Sequence, residues 1–184
     1  MVAVSIVGDG PGGLSAALFL AKNGHEVTVF GDDASAMHYA YLHNYLGIPE
    51  ISGTDLQGIA RGQAQAYGAT MDARRVALVT AATDQVSLTT DDGETHHASY
   101  VILSEGKRPE LAKALGVEFD DAAIVVDRDQ RTSLDRVYAV GRATRPTRSQ
   151  AIISAGAGAI AALDILAREA GEDIQDWDTP EKSQ

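Results

Sequence analysis

The chain opens on an almost unbroken apolar run, residues 2–7 (VAVSIV), rich in β-branched side chains. Such a run predicts a strand buried on both faces, as in a parallel sheet. Glycines crowd residues 8–13. Apolar positions at Leu14, Ala17, Leu18 and Ala21 then share one face of a helix predicted over residues 14–23, with Gly24 as its stop. Glu26–Phe30 predicts a second strand, so residues 2–30 form a βαβ unit. Residues 31–53 carry no periodicity. Residues 55–67 predict a helix capped by Thr54. Residues 69–78 predict a segment ending in a strand, and residues 85–90 and 95–98 flank the turn Asp91-Asp92-Gly93. Together these suggest a three-stranded antiparallel meander. Residues 100–104 and 137–140 are further buried-type strands, closed by Glu105-Gly106 and Gly141. Between them only residues 124–126 predict a short strand. Residues 150–169 predict a long helix, and 171–184 a loose acidic tail.

A length of 184 residues with 45% hydrophobic residues suits one domain, residues 1–170, followed by the tail, residues 171–184. The net charge of −11 makes nucleic acid a poor partner, because phosphate binding needs clustered cations. Lysine is scarce and aspartate outnumbers glutamate, a bias that fits either a protein from a high-salt, halophilic source or an ordinary acidic domain. With no cysteine, this chain has no disulfide, thiolate ligand or dithiol. The residues after Met1 lack a basic leader, and the run 14–21 is too short for a membrane span. The expectation is a cytoplasmic protein with no membrane partner.

The chemistry concentrates in the glycine loop. Gly8, Gly10 and Gly13 match G-x-G-x-x-G after a predicted strand and at the start of a helix, the context of a Rossmann dinucleotide site. The first glycine allows the tight turn, the second lets the backbone approach a pyrophosphate, and the third lets helix and strand pack. Pro11 and Gly12 complete the loop, and the helix N-terminus offers free N–H groups to the phosphates. The acid that usually grips the ribose is missing where the second strand ends in Phe30-Gly31; Asp32 or Asp33 just beyond is the candidate. His38, Tyr39, Tyr41, His43 and Tyr45 form an aromatic loop able to stack on a ring, or simply to pack. His96-His97 falls beside acids on a hairpin, but neighbouring strand residues face opposite sides. Arg142, Arg145 and Arg148 precede the last helix and suggest an anion.

These residues resemble the low-molecular-weight thioredoxin reductases and related flavoproteins with two dinucleotide-binding domains. The resemblance runs through GDGPGGLSAALFLAKNGHEVTVFG, through His43-Asn44-Tyr45-Leu46-Gly47-Ile48-Pro49, through Val101–Gly106 and through VYAVGRATRPTRSQAIISAGAGAIAALDIL. It implies an α/β, Rossmann-like FAD/NAD(P)-binding domain with a parallel sheet, helices and the antiparallel meander. It also implies FAD as cofactor. Gly8, Gly10, Pro11, Gly12 and Gly13 would face its pyrophosphate, with Asp32 toward the ribose. Gly106 and Gly141 would lie at the strand ends, and Asn44, Gln150 and Ala151 beside the flavin. In the family a second domain for NADPH is inserted between the segments matching residues 101–106 and 137 onward; here only residues 107–136 lie between them.

Two departures bear on function. An aspartate of the family's signature is replaced by Arg142, which could pair with the pyrophosphate, and Glu105 stands where the family has threonine. The resemblance therefore implies an FAD-dependent oxidoreductase without a dithiol mechanism, fed by external NAD(P)H or a redox partner protein, and forming a homodimer. The alternatives are a non-catalytic dinucleotide-binding or regulatory module, and a domain that binds NAD(P) itself.

Overall fold

The structure is a computed structural model and describes residues 1–179. In chain order it begins with β1 (Ala3–Val7), α1 (Pro11–Lys22), β2 (Glu26–Phe30), β3 (Tyr41–Leu42), β4 (Ile51–Ser52) and α2 (Gly53–Ala66). There follow β5 (Thr70–Asp72), β6 (Val76–Ala81), β7 (Val86–Thr90), β8 (Thr95–Ala98) and β9 (Tyr100–Leu103). The chain closes with α3 (Glu110–Leu115), β10 (Phe119–Asp120), β11 (Ala123–Ile124), β12 (Val137–Ala139) and α4 (Ala151–Ala170). The central sheet has the order β12-β9-β1-β2-β5, and every pair in it is parallel. Strand order reverses at β1, so a crevice opens between the carboxyl ends of β1 and β9, where doubly wound sheets hold their ligands.

Alternate residues of each central strand serve two cores, which explains the apolar runs in the sequence. Val4, Ile6, Tyr100, Ile102 and Tyr138 pack beneath α1 and α4. Val7, Val101, Leu103, Val137 and Ala139 pack against the meander β6-β7-β8 and Ala112 of α3. The predicted meander is present in the predicted order.

Other expectations need correction. The first helix begins at Pro11, since Gly10 serves as its N-cap. The cap of α2 is Ser52, whose Oγ accepts from the Asp55 N–H at 3.0 Å, while Thr54 bonds the His38 ring. The segment 69–78, expected to end in one strand, holds two: β5 extends the parallel sheet and β6 starts the meander. Residues 107–136 hold a helix, α3, and a small hairpin, β10–β11, rather than one strand at 124–126. Past α4, Ile174 packs on the helical core and Asp176 accepts from Lys22 Nζ at 2.8 Å. The remainder of the expected tail, from residue 180, lies outside the described residues. By length and composition alone α4 could cross a membrane; here Ala161, Ala162, Ile165 and Leu166 are buried in the helical core.

Candidate functional site

The glycine loop is shaped by contacts that exclude a side chain. Gly8 has φ +100°, and a Cβ there would fall 2.8 Å from the Ser104 carbonyl carbon. At Gly13 it would fall 3.1 Å from Ile6 Cγ2, beneath the helix. Gly12 is pressed between Val140 and the Ser154 carbonyl. Gly10 alone faces open space, with Ser35 Oγ as the nearest atom at 3.9 Å. The chain is therefore tight on every side of this loop except the one facing the crevice.

That crevice is a cleft of about 1090 Å³. Gly8, Gly10, Pro11 and Gly12 line it, as do Asp32, Asn44, Gly106, Gly141, Arg142, Gln150 and Ala151; Gly13 lies behind the loop. Two helices start on it. Neither α1 nor α4 has a side-chain cap, so the N–H groups of Gly12 and Gly13, and those of Ala151 and Ile152, keep their donors free of side chains. The other two helices are capped internally. Ser52 caps α2, and Glu105 accepts from the Leu111 and Ala112 N–H groups of α3 at 2.7 and 3.0 Å. Uncapped N-termini carry partial positive charge and attract anions. Gly158 packs on Gly12, and it lies in the third turn of α4. By the helical rise, the start of α4 is then on the order of 10 Å from the start of α1. The cleft thus offers two separate positive ends.

Several side chains fix its walls. Asn44 Nδ2 donates to Gln150 Oε1 at 3.1 Å and ties the aromatic loop to the start of α4. Tyr41 lines the cleft, Tyr39 is exposed, and His38 is held by Thr54 and the Asp33 carbonyl. On the hairpin, His96 meets Arg74 while His97 meets Ser87, on opposite faces. Burial raises the Glu105 pKa, opposed by the two α3 N–H groups. Its place at the former threonine position is thus a structural one, holding the turn that carries Lys107 and Arg108.

Charge is distributed unevenly. Among the described residues, Lys22, Arg61, Arg74, Lys113, Arg128, Arg131, Arg136 and Arg168 each have a carboxylate partner. The cations without one are Arg75, Lys107, Arg108, Arg142, Arg145 and Arg148. The first four line the cleft, and the last two continue the segment that leads into α4. In a chain of net charge −11, four of the six cations without a carboxylate partner among the described residues line this one cleft.

Sequence reasoning missed Arg75, Lys107 and Arg108 because they are scattered along the chain. It also missed Asp9, whose buried carboxylate is paired with Arg61. The signal was present as an acid inside the glycine loop combined with a glycine at the end of β2.

The sequence pattern of the pyridine nucleotide-disulphide oxidoreductases matches residues 53–162. A thioredoxin reductase of Mycoplasmopsis pulmonis is 33% identical over 108 residues, 56% of this chain and 35% of that protein. One from Streptomyces clavuligerus is 32% identical over 124 residues, 65% of this chain and 38% of that protein. The matched segment thus spans little more than a third of those relatives. Among solved structures, a thioredoxin reductase from Gloeobacter violaceus superposes with a TM-score of 0.85 at 18% identity, covering 97% of this chain and 99% of that one. That likeness shows the fold, a Rossmann-like α/β domain. With the family pattern matching more than half of its residues, the chain belongs to the pyridine nucleotide-disulphide oxidoreductase family.

Proposed function

We propose that the cleft binds FAD and that the chain works as a flavin-dependent oxidoreductase whose electrons come from outside it. The observation that carries this reading is the pair of uncapped helix N-termini opening on one cleft. FAD has a pyrophosphate at its centre and an electron-rich pyrimidine edge at its flavin end, and the two positive ends suit these two groups. The glycine cradle fits as well, since its one open face is at Gly10.

Each residue's part follows from its position. The Gly12 and Gly13 N–H groups hold the pyrophosphate, and Arg142 adds a counter-charge. The N–H groups of Ala151 and Ile152 stabilise negative charge at the pyrimidine edge. The Asn44–Gln150 bond keeps that end of the cleft in register. Bound there, FAD would supply hydride and one-electron chemistry that no side chain here can.

Having no cysteine, the chain cannot pass electrons to a dithiol of its own. The free cations on the rim favour an anionic donor, either NAD(P)H or an acidic redox protein, by electrostatic attraction. A second copy of the chain belongs to the same proposal. The regulatory-module reading loses one support, because Glu105 has a structural task as the cap of α3.

The test is an anaerobic redox cycle on FAD-loaded protein. Dithionite should bleach the flavin, ferricyanide should restore it, and the cycle should repeat without loss of cofactor. Bound flavin that resists reduction, or leaves on reduction, would favour the non-catalytic module. Arg142→Ala should weaken FAD binding roughly fivefold, the scale of one solvent-screened charge contact. Unchanged affinity would remove Arg142 from the site.

A further inference from the structure

We propose that Asp9 is the ribose-binding acid of this site, supplied by the phosphate loop in place of the end of β2, and that it selects an adenosine 2′-hydroxyl over a 2′-phosphate. This inference rests on the dinucleotide reading of the cleft.

In Rossmann sites an acid at the end of the second strand accepts from the ribose hydroxyl. Here that place belongs to Gly31. A Cβ on Gly31 would lie 2.5 Å from Asp9 Cγ and 2.8 Å from Asp9 Oδ2. The Asp9 carboxylate therefore fills the volume that a side chain at position 31 would use, and Asp9 lines the cleft. It is locked there. Oδ2 accepts from the Arg61 guanidinium and from the Asp33 N–H at 3.0 Å. The Asp9 carbonyl accepts from Gln57 Nε2 at 2.7 Å, and Gln57 is itself buried. Oδ1 has no protein partner among the described residues, so one acceptor of a buried, pre-oriented carboxylate is left for a ligand.

The two acids expected from the sequence bond within their own loop, although Asp32 also lines the cleft. Asp32 Oδ1 accepts from the Ala34 N–H at 3.2 Å, and Asp33, at φ +61°, presents Oδ1 to the His38 ring at 3.3 Å. A 2′-phosphate at this point would meet the Asp9 charge, and the Arg61 guanidinium is already paired with it.

The test is displacement of bound FAD, followed by its absorbance, with ADP, 2′-deoxy-ADP and 2′-phospho-ADP. ADP should compete about tenfold better than either analogue, as expected for a hydrogen bond to a charged group. In Asp9→Ala, ADP and 2′-deoxy-ADP should compete equally. Asp9→Ala/Gly31→Glu returns the acid from β2 and should restore the preference, which a merely destabilised loop would not do. Equal competition by ADP and 2′-deoxy-ADP in the parent protein, or a preference that survives Asp9→Ala, overturns the assignment while leaving FAD binding intact. Absence of FAD binding in the parent overturns both readings at once.

Discussion

Gly158→Ala is expected to cost about 3 kcal/mol of stability and to abolish most flavin binding, whereas Gly156→Ala on the same helix should stabilise by up to about 1 kcal/mol. The two glycines lie on different faces of α4. A Cβ at Gly158 would fall inside contact distance of the Gly12 carbonyl, 2.9 Å from its carbon and 3.0 Å from the Ala16 amide nitrogen. These are backbone atoms of α1 and cannot rotate aside. The helices must separate, and that shifts both positive ends relative to each other, so the ligand loses one of them. At Gly156 a Cβ would meet nothing within 4 Å, and alanine simply restricts the unfolded chain in a helical position. Thermal melts of both variants, with and without FAD, check the pair. Similar behaviour of the two would contradict the packing account.

Asp164→Ala is expected to destabilise by about 3 kcal/mol, a fall in Tm of roughly 9 °C for a domain of this size. Asp164 lies on α4, where it receives the Tyr138 hydroxyl at 2.5 Å and the Arg131 guanidinium, whose Nε donates at 2.7 Å. Tyr138 is fully buried on β12, so alanine would leave its hydroxyl without this acceptor. The cost is set below that of a fully buried ion pair because the Arg131 side chain is 41% exposed. Burial alone would raise the Asp164 pKa, but Arg131 and Tyr138 outweigh it and hold the carboxyl below its usual value of 3.8. A lowered folded pKa contributes stability that is present above pH 3.8 and is lost as pH falls through the folded value. The parent should therefore lose stability in that acid range more steeply than the variant. Parallel acid-denaturation curves would show that the carboxylate is not the ionised partner assumed here.

The elements legible in the sequence are those whose pattern is local. The strands at residues 2–7, 100–104 and 137–140 read as apolar because both faces are buried, that at 26–30 reads from its alternating, branched residues, and the Asp-Asp-Gly turn marks the meander. What was not legible depends on distant partners. The helix α3 has only six residues and starts after Pro109; it is held by a carboxylate, Glu105, that reaches over from the end of β9. The strand β5 is three residues of mixed polarity, Thr-Met-Asp, and exists because β2 offers it an edge. The start of α2 was misplaced because Gly53 has to pass the Met37 carbonyl, where a Cβ would fall 2.8 Å from its carbon, and Ser52 rather than Thr54 then meets the free amide.

The candidate site divides in the same way. The glycine loop is a contiguous motif and the cleft forms where the motif places it. The second positive end at Ala151, the rim cations and the Asp9–Arg61 pair come together only when residues far apart in sequence meet.

The most direct measurement is a visible-absorbance titration of the purified protein with FAD, followed in parallel with Gly10→Val. The account predicts saturable binding at one site per chain, with a perturbed flavin spectrum, and its loss in the variant, because the Gly10 side faces the cleft and has no neighbour to displace within the fold. The variant should melt only a few degrees below the parent, the cost of a poorer N-cap for α1. A flavin spectrum that stays that of free FAD with the parent protein, or binding that survives Gly10→Val unchanged, would contradict the claim that this cleft holds the dinucleotide.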